Sequence, residues 1–275
     1  MSLVTFNEIL PAARAEGKAV CAFNFADSGT AEAVIDAAIA EKRPIILQVY
    51  QRLIGYPHID ALIAMARKLG ESSPIPVAIH LDHGASLDQI KKAIDLGFTS
   101  VMLDGSTLSL KENIEITRQG VEIAHRAGLS IEGEIGHVPA NDRQPTPYSD
   151  PAEAELFARE TGVDALAVAV GTAHGFYTET PKVSVDVAEA VSQRVKIPMV
   201  LHGGSDTPRD KVRAIVRCGF AKVNIATEFQ YAYQQEIKRT LNEMDVKFKP
   251  VDLLLKPAIA KASAHAAEII RYLGE

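Results

Sequence analysis

The sequence predicts an α/β protein, a closed (β/α)8 barrel, on three observations. Eight short apolar runs, most of them rich in Val, Ile and Ala, recur along the chain at 19–25, 44–50, 76–82, 100–105, 129–136, 165–171, 197–204 and 222–228. Helix-like segments lie between them, so the strands read as parallel and covered on both faces. No Gly-x-Gly-x-x-Gly follows the first run, which removes the main support for an open, doubly wound sheet. Eight βα units suit one barrel domain spanning 1–275.

The elements follow in order. The stretch MSLVTFNEIL carries Asn7 and Glu8 among apolar residues and reads as an amphipathic helix, not as a signal peptide. TAEAVIDAAIAEK (30–42) places Ala33, Ile35, Ala37, Ala38 and Ile39 on a broad apolar face. The segment 86–97 opens at Ser86 and closes at Gly97, and 109–128 closes at Gly128; Ser before an apolar period and Gly after it are helix start and stop signals. From about Pro250 to Glu275 the chain reads as one or two extra helices.

Composition excludes several classes. The 275 residues are 47% hydrophobic and 23% charged, as in ordinary globular proteins. A formal charge of −6 gives no support to nucleic-acid binding, which favours basic faces. It leaves a small anionic substrate open, because a pocket can be locally positive on an acidic protein. Cys21 and Cys218 form no Cys-x-x-Cys pair, so neither a disulfide framework nor a thiolate zinc site is implied. No apolar stretch is long enough for a membrane span. A reducing, cytoplasmic location is the expectation.

In such a barrel the chemistry sits at the C-terminal strand ends, and the polar residues gather there. The first run ends at Asn24, the third at Asp82 and His83, and the fourth at Asp104 before Gly105 and Ser106. The fifth carries Glu132 and Glu134, two apart and therefore on one strand face. The sixth runs into GTAHG with His174, the seventh into LHGGS with His202, and the eighth carries Asn224 and ends near Thr227. Three strand-end histidines suggest a metal with an open fourth position. His58, His125 and His265 read instead as ordinary hydrogen-bonded residues, His80 as support for the site, and His137 stays open between the two. Gly175, Gly203 and Gly204 allow a ligand close to the backbone. Barrels often bind phosphate after strands 7 and 8, where Gly203, Ser205, Asn224 and Thr227 fall. Ordinary turn glycines and a helix N-cap at Thr227 fit those positions equally.

The motifs HLDHG, GEIG, GTAHG, LHGGSD and KVNIATE, with AFN (22–24) and TGVDALAVAVGTAHG (161–175), together resemble the class II, metal-dependent ketose-bisphosphate aldolases, which are TIM barrels. The resemblance runs in order from about Ala19 to Glu228. It implies His83, His174 and His202 as the ligands of a catalytic Zn2+, with Asp104 supporting the metal. It implies Glu134 as a carboxylate that approaches an alternative zinc position. Asp82 resembles the acid/base that handles the C4 hydroxyl proton. Gly175, Gly203, Gly204, Ser205, Asn224 and Thr227 resemble the phosphate-binding and substrate-orienting set, which in some members also holds a monovalent cation such as Na+ or K+. The expected reaction is cleavage of a ketose (bis)phosphate to dihydroxyacetone phosphate and an aldehyde. Zinc as a Lewis acid stabilises the enediolate left behind, and a carboxylate within reach takes the hydroxyl proton. No Schiff-base lysine is needed; Lys222 reads as the start of the eighth strand, at the wrong end. The family also implies a homodimer or homotetramer.

Departures from the pattern bear on the substrate. Ala226 stands where fructose-type members carry an Asp that recognises the C4 configuration, which places the chain closer to the tagatose-type branch. Thr178, followed by Glu179, stands where many carry a phosphate-contacting Lys. The second run ends in QVYQR, where many have a phosphate-binding Ser. The loop 136–150 is short and Pro-rich, with Asp142 its only acidic candidate for proton transfer. A tagatose-1,6-bisphosphate-like or less common sugar is therefore the expected substrate. The alternatives are a non-catalytic aldolase-like subunit and a metal-dependent sugar-phosphate epimerase.

Overall fold

A computed structural model of the chain describes residues 3–144, 147–243 and 248–275. Helix α1 (Phe6–Ala15) precedes eight βα units. These are β1 (Val20–Asn24) with α2 (Ser28–Glu41), β2 (Ile45–Tyr50) with α3 (Ile59–Ser72), β3 (Val77–Gly84) with α4 (Leu87–Leu96), and β4 (Ser100–Leu103) with α5 (Leu110–Arg126). They continue with β5 (Ser130–Ile135) and α6 (Pro151–Thr161), β6 (Ala165–Val168) and α7 (Val185–Arg194), β7 (Met199–Leu201) and α8 (Arg209–Arg217), and β8 (Phe220–Ile225) and α9 (Thr227–Asn242). A short 3-10 turn, Gln51–Gly55, lies between β2 and α3, and α10 (Val251–Leu273) completes the chain. All neighbouring strands pair in parallel, and β1 pairs with β8, so the barrel closes.

The caps predicted for α4 are present. Ser86 accepts a hydrogen bond from the Gln89 N–H at 3.3 Å, and Gly97 ends α4 with φ 84°. Ser109 and Glu112 form a reciprocal capping box on α5. The expected tail is one helix, α10, with Pro257 inside it; it packs against α2 and α9. Several boundaries shift. The sixth run leaves the sheet at Val168, so His174 sits on a loop beyond β6. The eighth strand starts at Phe220, so Lys222 is its third residue, not its first. Thr227 is the first residue of α9, with Ala226 at the N-cap position.

The core divides into two shells. Outward-facing strand residues such as Phe23, Leu47, Ile79 and Leu201 pack under the helices. Inside the barrel, Ala22, Ile46, Ala78, Ala165, Ala167 and Val200 form a smaller cluster with Phe6, Ile9 and Leu10 of α1. Small side chains leave room for α1 to plug the bottom, and the Phe6 N–H donates to Ser130 Oγ at 2.9 Å. The plug leaves one open end for chemistry, at the C-terminal strand ends. No helix of the described residues is long and apolar enough to cross a membrane.

Candidate metal centre and active site

His83, His174 and His202 converge. One ring nitrogen from each lies within 4.8 Å of the others, and the ring centroids of His83 stand 4.6 Å from His202 and 5.2 Å from His174. Each arrives differently. His202 directly follows β7 and is fully buried. His174 comes in on the β6 loop, whose Tyr177 hydroxyl accepts from the Ala173 N–H and hydrogen-bonds Thr207. His83 sits where the β3–β4 register shifts, with φ 56°. Neighbouring strand residues normally face opposite ways; this bulge and left-handed residue turn both Asp82 and His83 toward the barrel mouth.

Carboxylates orient the rings. His83 Nδ1 is 2.8 Å from Asp104 Oδ2, and His202 Nε2 is 2.8 Å from Glu132 Oε1. An ionised carboxylate only accepts, so both rings donate there and turn their other nitrogens toward the barrel mouth. Those two nitrogens, His83 Nε2 and His202 Nδ1, face each other at 2.9 Å. Burial opposes charge on His83, but Asp82, Asp104 and Glu134 outweigh it and raise the ring to about 10, so without a metal His83 Nε2 keeps a proton and donates it to His202 Nδ1. A divalent transition metal taking the place of that proton would find three imidazole nitrogens aimed at one point. Burial, with the charges of His83 and His202, lowers His174 to about 3, so this ring is neutral and able to ligate at neutral pH.

Glu134 completes a second group with His83 and Asp104. Its Oε2 is buried with no hydrogen-bond partner, and burial together with Asp104 pushes its carboxyl up to about 8. An orphaned acceptor beside two metal-type ligands is the kind of atom a cation satisfies.

Beneath the histidines runs a buried polar chain that the sequence reading did not foresee. Glu132 Oε2 accepts from Lys222 Nζ at 2.8 Å, and Lys222 also donates to Asn224 Oδ1 at 2.7 Å. Asn224 Nδ2 donates to Asp82 Oδ1 at 3.2 Å, and Asn24 Nδ2 to Asp82 Oδ2 at 2.8 Å. His80 Nδ1 bonds Ser100 Oγ at 3.0 Å. Burial opposes charge on Glu132, but Lys222 and His202 outweigh it and hold its carboxyl below the usual range. Burial likewise opposes charge on Asp82, but His83, His202 and Lys222 outweigh it, and its carboxyl lies below its ordinary value. Asp82 is thus an anion gripped by two amides at the mouth, able to accept a proton.

These groups open into a cavity of about 580 Å³. Asn24, Asp82, His83, Asp104 and His174 line it, as do Gly175, Gly203, Ser205, Asn224, Ala226 and Thr227. Gly203 has φ 68°, and a side chain there would run into the Ala173 carbonyl oxygen. Ser205 Oγ accepts from the Ala226 N–H at 3.1 Å, at the start of α9. Gly204 does not line the cavity; its N–H donates to the Asn224 carbonyl at 3.1 Å, and it packs against β8. His137 lines the cavity, 3.1 Å from Ser106 Oγ. Tyr50, Gln51, Arg52 and Gln230 also line it, and the sequence reading assigned them no role. Asp142 does not line the cavity, and its carboxylate accepts from Thr178; residues 145 and 146 of the same loop lie outside the described residues. His125 pairs with Asp164 at 2.8 Å, and His265 stands 3.2 Å from Glu228.

The profile of class-II fructose-bisphosphate aldolases matches residues 4–275. The chain is 35% identical over 280 residues to the 6-phospho-5-dehydro-2-deoxy-D-gluconate aldolase of Shouchella clausii, covering 100% of this chain and 95% of the relative. It is 36% identical over 256 residues to the protein of the same name from Bacillus subtilis, covering 91% and 88%. Among solved structures it resembles the YdjI aldolase from Escherichia coli K12, with a TM-score of 0.89 and 29% identity over 99% of this chain and 97% of that one. With a profile spanning nearly every residue and aldolase relatives matched along their length, the chain belongs to the class-II fructose-bisphosphate aldolase family, an aldehyde-lyase built on a TIM barrel.

Proposed function

We propose that the protein is a zinc-dependent aldolase that reversibly cleaves a ketose phosphate to dihydroxyacetone phosphate and an aldehyde. The carrying observation is the convergence of His83, His174 and His202 beside the ionised Asp82. The three imidazoles would hold the cation, with Asp104 and Glu132 fixing their tautomers and Glu134 offering an alternative ligand. When bound, the metal supplies Lewis-acid polarisation of the substrate ketone and its neighbouring hydroxyl.

The chain's own groups do the rest. The start of α9 presents backbone N–H groups; with Ser205, Thr227 and the glycines Gly175 and Gly203 it forms a cradle for the substrate phosphate. Asn224 and Asn24 hold Asp82 in place, facing the hydroxyl two carbons from the ketone. Asp82 takes that proton as the carbon–carbon bond breaks. The bonding pair passes to the carbon next to the ketone, the aldehyde leaves, and a proton delivered to that carbon completes dihydroxyacetone phosphate.

The curated relatives suggest the first substrate to test. In 6-phospho-5-dehydro-2-deoxy-D-gluconate the ketone is at C5 and a hydroxyl is at C3. Retro-aldol cleavage of C3–C4 therefore yields dihydroxyacetone phosphate and malonate semialdehyde. Tagatose 1,6-bisphosphate offers the same ketone–hydroxyl spacing and is the second. A retro-aldol screen over ketose mono- and bisphosphates, coupled to detection of dihydroxyacetone phosphate, tests the reading. Cleavage that stops with a chelator and resumes with zinc is expected, and borohydride with substrate should leave no covalent adduct. Interconversion of epimers without aldehyde release would replace it with an epimerase.

A further inference from the structure

We propose that Arg52 sets specificity by holding a carboxylate at the end of the substrate farthest from its phosphate. The proposal rests on the aldolase reading above and adds to it the chemistry of the substrate's tail.

Arg52 lies in the 3-10 turn directly after β2, on the wall of the same cavity as Asp82 and His83. It is the one lysine or arginine among the described residues lining that cavity. Its guanidinium carbon stands 5.2 Å from the Tyr50 ring centroid, and the Tyr50 ring meets the His83 ring at 5.9 Å. Tyr50 therefore carries the charge beside the metal centre and restricts its plane. Other arginines are tied up: Arg67, Arg118 and Arg209 pair with Glu71, Glu160 and Glu268. Among the described residues Arg52 pairs with no carboxylate, although three acids stand at this barrel mouth.

The charge balance of the cavity explains what this cation is for. Asp82 and Asp104 already engage the cationic groups of the metal centre, so an anionic tail needs a cation of its own. The phosphate cradle belongs to the β7–β8 rim. In the closed barrel β1 separates β8 from β2, so Arg52 stands across Asn24 from Thr227 and can meet the other end of a bound sugar. A guanidinium presents a planar fork that matches a carboxylate with two parallel hydrogen bonds. Gln51 is beside it; its Oε1 accepts from Gln89 Nε2 at 3.2 Å, which leaves Gln51 Nε2 as a second, neutral donor. One cation and one amide suit a monoanion better than a phosphate dianion.

The test compares three substrates with zinc-loaded enzyme: 6-phospho-5-dehydro-2-deoxy-D-gluconate, its congener with C1 reduced to the alcohol, and tagatose 1,6-bisphosphate. The acid should have the highest kcat/KM. In Arg52→Met the ratio of acid to alcohol should fall by about 10- to 100-fold, the worth of a charge-assisted pair, mainly through KM. Arg52→Lys, which keeps charge but not the fork, should lie between. A ratio within twofold of wild type in Arg52→Met overturns the proposal, as does a wild-type preference for the alcohol or the bisphosphate. If none of the three is cleaved, the substrate reading fails, and the ligands are then stable enough for calorimetric titration. Weaker binding of the acid alone to Arg52→Met would still support the subsite; equal affinities would overturn it.

Discussion

His83 Nε2 and His202 Nδ1 face each other at 2.9 Å while the far nitrogen of each ring is held by Asp104 and by Glu132. Without a metal a proton on His83 Nε2 bridges the pair, and a metal cation that displaces this proton gains both nitrogens as donors. Binding that favours the folded state stabilises it by mass action, by about 4 kcal/mol when the ligand is at a thousand times its dissociation constant. Chelation should therefore lower the thermal midpoint as well as stop cleavage, and added zinc should restore both. His83→Ala, His174→Ala and His202→Ala should each purify with little metal by elemental analysis. Full activity and an unchanged midpoint after exhaustive chelation would sink the metal centre.

Asp82 tests the proton step separately. Asp82→Asn should lower kcat by about 10²- to 10⁴-fold, the usual contribution of a positioned acid or base, while metal content stays near wild type. Asn24 and Asn224 both point amide N–H groups at residue 82, so the new amide meets a donor on one side. A stability loss of about 1–3 kcal/mol should accompany the change. Metal analysis beside single-turnover kinetics separates the two effects, and an unchanged kcat would remove Asp82 from the reaction.

The barrel and its histidines were legible because both leave periodic or positional traces. Apolar runs mark buried parallel strands, Ser86 and Gly97 mark the two ends of α4, and polar residues collect after the strands. The β3 bulge left no such trace. Strict alternation sends residues 82 and 83 to opposite faces, and only the left-handed backbone at His83, φ 56°, brings both to the mouth. Lys222 differs from expectation for a related reason. Its strand begins earlier, at Phe220, and a lysine becomes tolerable inside a barrel only because Glu132, 90 residues away in sequence, neutralises it. A period shows which way a side chain points; it does not name its partner across the barrel. Gly204 adjoins Gly203 and Ser205 in sequence, yet its N–H is committed to the Asn224 carbonyl on β8, a pairing that no sequence pattern marks.

The Lys222–Glu132 pair is fully buried, so removing one partner strands the other. Lys222→Met should destabilise by about 3–5 kcal/mol, and pairing it with Glu132→Leu should recover much of that loss while weakening the hold on His202. The pair also predicts a pH response. The Glu132 carboxyl titrates lower in the folded chain than in the unfolded one. Its contribution is therefore complete above about pH 4.3, the unperturbed glutamate value, and is lost as pH falls toward the folded value. Acid unfolding followed by circular dichroism should begin at higher pH in Lys222→Met than in wild type.

Asp142 divides a catalytic role from a structural one. Its carboxylate accepts from the Thr178 N–H and from Thr178 Oγ1, the latter at 2.8 Å, and from the Glu179 N–H at 3.4 Å. These bonds hold its carboxyl below the ordinary aspartate range and tie the loop after β5 to the loop that carries His174. A carboxylate so committed is a poor proton shuttle but a good clasp, and the His174 backbone N–H, which donates to the Pro139 carbonyl at 3.0 Å, lies on the same seam. Asp142→Ala should therefore raise KM and speed proteolytic cleavage within 136–150, with the pH dependence of kcat unchanged. Asp142→Asn, which keeps one acceptor for Thr178, should recover part of both. A shifted pH profile of kcat with unaltered proteolysis would instead make Asp142 a participant in proton transfer and leave the two loops without their clasp.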